Sequence, residues 1–165
     1  MHIREELQIT KPLATGHEVA LALLLTREYV ARLFEQGLYE PEGISDQQYN
    51  VLRILKGGPK DGYLVKEIRC RMIYRFADVP RLVNRLEARG FVKRCENPSD
   101  RRGSRVQITA RGLAQEAAMH SRHDELCQRV DRCLTPEEGR TLLDLLERLR
   151  NDHRAQLELL ERDEG

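Results

Sequence analysis

Between Asp78 and Thr109 the chain reads DVPRLVNRLEARGFVKRCENPSDRRGSRVQIT, and its apolar period changes there from that of a helix to that of a strand. Val79, Leu82, Val83 and Leu86 recur at i, i+3, i+4 and i+7, one stripe of an amphipathic helix. Asp78 is a good N-cap for it, and Pro80 lies in the first turn, where a missing N–H costs no hydrogen bond. Gly90 ends it. At about 100° per residue, the opposite face carries Arg81, Asn84, Arg85 and Ala88. Phe91 to Glu96 and Ser104 to Thr109 then read as two short strands, with Val92, Val106 and Ile108 on one side. Asn97-Pro98 and Gly103 mark the reversal between them, and the loop carries Asp100, Arg101 and Arg102.

Two guanidiniums and an amide on one helix face match guanine and adenine edges in a major groove, although an ordinary solvated helix shows the same pattern. The hairpin narrows the choice. A basic hairpin directly after a basic helix is the plan of a winged helix-turn-helix. The helix enters the major groove, and a hairpin arginine probes the minor groove, where negative potential attracts it. The residues expected on DNA are Arg75, Arg81, Asn84, Arg85, Asp100, Arg101, Arg102 and Arg105.

The pieces Leu82-Val83-Asn84-Arg85-Leu86-Glu87, Gly90-Phe91-Val92, Asp100-Arg101-Arg102 and Val106-Gln107-Ile108-Thr109 with Gly112 stand in a definite order and spacing. In that order they resemble the MarR family of bacterial transcription regulators. The resemblance implies a winged helix-turn-helix lobe in a helical dimerisation scaffold, and extends more weakly over nearly the whole chain. It also implies a cleft between scaffold and lobe that takes small ligands, often aromatic acids. Tyr29, Tyr49, Arg53 and Tyr63 are the candidate lining groups, with ordinary core and surface roles as the alternative for each. The family often has a hydroxyl residue where Pro80 stands, so a phosphate contact from that position is not carried over.

Charge distribution agrees with a nucleic-acid partner. From Arg69 to Arg111 there are 12 Lys/Arg against 4 Asp/Glu, a net of +8, whereas the remainder holds 16 against 23, a net of −7. Four acids cannot neutralise twelve bases locally, so a basic surface is expected in an otherwise acidic chain. No apolar run approaches the length of a membrane span, and the N-terminus MHIREELQIT has early acids and no apolar core, so a cytoplasmic location is expected.

Around this lobe the chain reads as helices. Met1 to about Ala14 forms an arm with one helix-compatible piece. Thr15 is placed to cap a helix running to about Leu38, with Gly37 and Pro41-Glu42-Gly43 as its end. Its centre, Val19 to Leu25, is apolar nearly all round, which suggests a subunit interface. Ser45-Asp46-Gln47-Gln48 is a capping box for a helix with Tyr49, Leu52 and Leu55 inward. Leu64 to about Ile73 makes the next, with Val65, Ile68 and Met72 as its apolar face. Thr109 caps a long helix to about Cys133, and Thr135-Pro136-Glu137-Glu138 starts another to about Arg162. In the last helix Leu142, Leu145, Leu146, Leu149, Leu157 and Leu160 follow roughly heptad spacing. The organisation expected is one intertwined protomer, mainly α with a small β-hairpin wing. It has an arm and dimerisation helix over 1–44, the DNA-binding lobe over 45–109, and dimerisation helices over 110–165.

Enzyme chemistry finds little support: there is no Gly-rich phosphate loop, no GxSxG elbow and no HExxH. No cofactor is implied. His120, His123, Asp124 and Cys127 place zinc-competent groups within two turns of one helix. Only two share each face, so a site would need help from His17 or Glu18, and polar interface residues are the simpler reading. Cys70 and Cys95 have basic neighbours that lower a thiol pKa if close in space, but inert thiols are expected for these and for Cys127 and Cys133. The reading that results is a homodimeric DNA-binding regulator, a repressor that binds an inverted-repeat operator and is released by a small aromatic ligand. A zinc- or thiol-responsive regulator of the same fold and a winged-helix protein-interaction module are the alternatives.

Overall fold

The computed structural model describes residues 2–96 and 104–163, the side chains of 161–163 excepted. The expected wing tip, with Asp100, Arg101 and Arg102, lies outside the described residues.

The elements follow in the order α1 (Ile3–Glu6), α2 (Thr15–Phe34), a π-helical turn (Glu35–Tyr39), α3 (Glu40–Glu42), α4 (Asp46–Lys56), β1 (Tyr63–Leu64), α5 (Val65–Arg71), α6 (Val79–Ala88), β2 (Val92–Glu96), β3 (Ser104–Ile108), α7 (Ala110–Cys133) and α8 (Pro136–Asp163). The chain divides into two units, residues 1–123 and 124–165.

Local chemistry sets most helix starts. The Ser45 hydroxyl accepts from the Gln48 N–H at 3.3 Å, and the Gln48 amide returns to the Ser45 N–H at 3.0 Å. The Asp78 carboxylate accepts from the Arg81 N–H at 3.2 Å. The Thr109 hydroxyl accepts from the Gly112 N–H at 3.0 Å, and that of Thr135 from the Glu138 N–H at 3.3 Å. Hydrogen bonds from the Thr135 N–H and hydroxyl in turn hold the Glu138 carboxyl below its ordinary pKa.

At α2 the structure departs from the sequence reading. Ala14, not Thr15, is the N-cap, and no side chain caps the helix there. The helical path does not stop near Leu38 but passes through the π-helical turn into α3, and Gly43 closes it in the left-handed conformation at φ 58°. Gly37 is absorbed by the π turn. Pro41 falls in the first turn of α3, where its ring is tolerated.

The lobe core is built from the inward stripes of three helices and the sheet. Tyr49, Val51, Leu52 and Leu55 of α4, Ile68 of α5, and Val79, Leu82, Val83 and Leu86 of α6 are buried together with Met72, Phe91, Val92 and Val106. The hairpin pairs antiparallel with Val92 opposite Ile108, Arg94 opposite Val106 and Glu96 opposite Ser104. A third strand, not expected from the sequence, joins it: β1 pairs with β3, Tyr63 opposite Val106, giving the order β1-β3-β2. The helix expected from Leu64 therefore begins one residue later. Gly62 makes this pairing possible. Its φ is 79°, and a Cβ there would overlap the Val106 carbonyl.

The first part of α7 is tied to α4 and its surroundings by polar contacts. Glu116 is 1% exposed and pairs with the Lys56 ammonium at 2.5 Å; His120 Nδ1 lies 3.8 Å from the other carboxylate oxygen. Gln115 Nε2 donates to Glu42 Oε2 at 2.8 Å. Removing one member of a buried pair leaves an uncompensated charge and costs about 3–5 kcal/mol when both are buried. Lys56 is 40% exposed at its side chain, so water softens the loss. Lys56→Met should therefore cost about 2 kcal/mol, and the double variant Lys56→Met/Glu116→Leu should recover most of it. Urea unfolding of the single and double variants checks this. A double variant no more stable than the single one rules out the stranded carboxylate as the cause.

Candidate nucleic-acid interface

On α6 the division of faces is as the sequence implies: Val79, Leu82, Val83 and Leu86 are buried, while Arg81, Asn84, Arg85 and Ala88 are exposed. The helix ends where the Gly90 N–H reaches the Glu87 carbonyl at 2.8 Å and the Phe91 N–H that of Leu86 at 2.9 Å. Gly90 itself has φ 72°.

The outward face is linked to the hairpin by Arg94, which sequence reasoning placed only as a strand residue. Its guanidinium ion-pairs with Glu87 and also donates to Asn84 Oδ1 at 2.6 Å, while its N–H donates to Glu87 Oε1 at 3.1 Å. Asn84 is thereby oriented through its carbonyl oxygen, which accepts from Arg94. The only signal in the sequence was the alternation that puts Arg94 on the same side of β2 as Val92. The contact itself needs the hairpin folded over α6.

Arg75 and Arg105 hold different positions from the helix arginines. Arg75 is exposed and its Nη1 donates back to the Cys70 carbonyl at 3.2 Å. The Arg105 side chain is only 18% exposed. It donates to the Gly62 carbonyl from Nη2 at 2.5 Å, and its Nε lies 3.2 Å from Asp61 Oδ2. Arg105 thus fastens β3 to the turn before β1. The sequence reading placed Arg105 among the residues expected on DNA. What singles out Arg105 is the third strand beside it.

Of the four ligand-pocket candidates, two come together. The Tyr49 ring lies 6.0 Å from that of Tyr39 and 5.6 Å from that of His123, and Phe34 meets His123 edge-on at 5.5 Å. Arg53 Nη1 is 3.0 Å from His123 Nε2, and its guanidinium carbon is 6.0 Å from the Tyr49 ring centre. Phe34, Tyr39, Tyr49 and His123 thus form one cluster of four rings beside the exposed Arg53, with Tyr49 buried in it. Tyr29 is elsewhere engaged: its hydroxyl donates to Glu6, whose carboxylate raises the phenol pKa above its ordinary value. Tyr63 lies under the Arg71 guanidinium at 4.2 Å and against Gly58. These two do not join the cluster.

Among the described residues, no group of three or more His, Cys, Asp or Glu side chains is placed to hold a metal ion. The four cysteines form no disulfide; Cys95 is half-buried, its Sγ 3.2 Å from Gln107 Oε1. No helix among the described residues is long and apolar enough to cross a membrane.

Residues 42–103 match the model of the MarR family. This segment belongs to the MarR family. It spans α4 to β2, the helices and first wing strand just described, and members of the family are transcription regulators. Solved structures share the fold over most of the chain. The PcaV transcriptional regulator from Streptomyces coelicolor, in complex with its natural ligand, superposes with a TM-score of 0.74 at 20% identity, covering 86% of this chain and 98% of that one. A probable transcriptional regulator from Pseudomonas aeruginosa gives 0.69 at 25% identity over 82% and 99% of the two chains. BpsR of Bordetella bronchiseptica, whose DNA binding is regulated by 6-hydroxynicotinic acid, gives 0.69 at 22% identity over 81% and 98%. No curated protein matches.

Proposed function

We propose that this chain is a sequence-specific DNA-binding transcription regulator, a repressor that acts as a homodimer and is released by a small aromatic ligand. The observation that carries the reading is the face of α6. Arg81, Asn84 and Arg85 are exposed there, opposite a buried stripe, in a segment whose net charge is +8. In a two-fold dimer, two such helices would enter successive major grooves about 10 base pairs apart, so the operator is an inverted repeat. Arg81 and Asn84 are assigned to bases and Arg85 to phosphate. One of Arg101 and Arg102 at the wing tip is assigned to the adjoining minor groove, with Asp100 steadying it, and Arg75 to the DNA backbone.

Support for the ligand comes from the cluster of Phe34, Tyr39, Tyr49 and His123 beside Arg53, which suits a planar ring carrying a carboxylate. The acid that regulates BpsR is of that kind.

Site selection from random DNA tests the central claim. Wild type should recover an inverted repeat. Arg81→Ala or Asn84→Ala should relax one symmetric position in both half-sites, a loss of about 1–3 kcal/mol in discrimination. If both variants return the wild-type motif with uniformly weaker binding, these side chains hold the backbone and do not read bases.

A further inference from the structure

The most exposed large apolar side chain of the lobe is Phe76, at 94%, in the turn between α5 and α6; Ile73 in the same turn is 74% exposed. The turn is well held. Met72 and Ala77 are buried on either side of it, the Ile73 N–H donates to Asn50 Oδ1 at 3.1 Å, and the Ala77 N–H reaches the Tyr74 carbonyl at 3.2 Å. Tyr74 turns inward, where burial, and then a hydrogen bond to Asp46, push its phenol well above the ordinary value. With Tyr74 half-buried and Met72 and Ala77 buried, Phe76 is presented to solvent by an ordered turn.

Its surroundings specify the partner. Between Arg69 and Arg81 the chain carries Arg69, Arg71, Arg75 and Arg81, all exposed, and the single acid Asp78 is spent on capping α6. A bare aromatic ring among guanidiniums complements a polyanion that offers an apolar spot. Phe76 also stands two residues before the cap of the helix whose N-terminal end approaches base edges. The apolar group that the major groove presents there is the 5-methyl of thymine, and an aromatic side chain is among those that meet it. We propose that Phe76 reads a thymine in each half-site by packing against its methyl group.

This rests on the DNA-binding reading above. The test uses the full chain and the operator recovered by selection. Each thymine is replaced in turn by deoxyuridine, symmetrically in both half-sites, and affinity is measured by fluorescence anisotropy. One replacement should weaken wild-type binding about fourfold per half-site, the equivalent of about 0.8 kcal/mol for one buried methyl. Phe76→Ala should bind the thymine operator more weakly, and bind the thymine and deoxyuridine duplexes at that position equally. Its melting temperature should match wild type, because the ring touches solvent. A wild type indifferent to every replacement, or a variant that keeps the wild-type penalty, overturns the proposal while leaving the regulator reading intact. A variant that loses affinity equally for all sequences overturns it too, since the ring then rests on the backbone. A wild type that binds no DNA overturns both.

Discussion

Gly112→Ala should lower the melting temperature by about 6–12 °C, corresponding to about 3 kcal/mol for a chain of this size. Gly112 lies in the first turn of α7, and a Cβ there would overlap the Phe91 carbonyl and come within 2.8 Å of Ile108 Cγ1. The obstruction is backbone, so no side-chain rotation relieves it. Relief requires α7 to lift away from the end of α6 and the start of β2. Lifting it would strain the bonds that the Thr109 N–H and hydroxyl give to that same carbonyl, at 3.0 and 3.1 Å. Thermal unfolding followed by circular dichroism measures the loss. Gly139→Ala, where a Cβ meets nothing within 4 Å, is the control and should not destabilise. Equal behaviour of the two variants would mean that the close approach at Gly112 carries no energy.

Deletion from Leu142 onward should abolish the soluble fold. The outward leucines of α8 motivate this: Leu142, Leu143, Leu145, Leu157, Leu159 and Leu160 are exposed, Leu143 by 67%. Independently, α2 buries none of its residues, and Leu24 on it is 66% exposed. Faces of this size are covered by something in a stable soluble protein, and the proposal here is a second copy of the chain. Sedimentation should show a dimer at micromolar concentration for the full chain and aggregate for the deletion. A well-folded monomer of the full chain would sink the dimer.

What could be read from the sequence was what depends on neighbours in the chain. The caps at Ser45, Asp78 and Thr135 involve residues three apart, and the stripe of α6 is a matter of spacing; both were visible without coordinates. What escaped were contacts made across long separations. Tyr63 and Leu64 are too few to show a strand period, and become a strand only because Val106 and Arg105 lie beside them. The same event withdraws Arg105 from the basic surface. Arg94 joins Asn84 and Glu87 only after the hairpin has folded back. At the end of α2 the local signals were present but misleading, since Gly37 and Pro41 read as terminators where the helix in fact widens.

That widening has a consequence for how the aromatic cluster is encoded. In an α-helix, residues five apart point about 140° away from one another. The i→i+5 ladder of a π turn brings them nearly into line, and Phe34 and Tyr39 accordingly face one another at 6.3 Å. Whether those two rings share a side is therefore decided by how many residues lie between them, and not by which residues these are. Losing one residue from 35–38 would return the pair to i,i+4 spacing, where a regular α-helix also sets two side chains on one face, so the π turn is what lets the extra residue be carried without parting the rings. A further insertion at this point would instead set the two rings on different sides of the helix, with every aromatic still present.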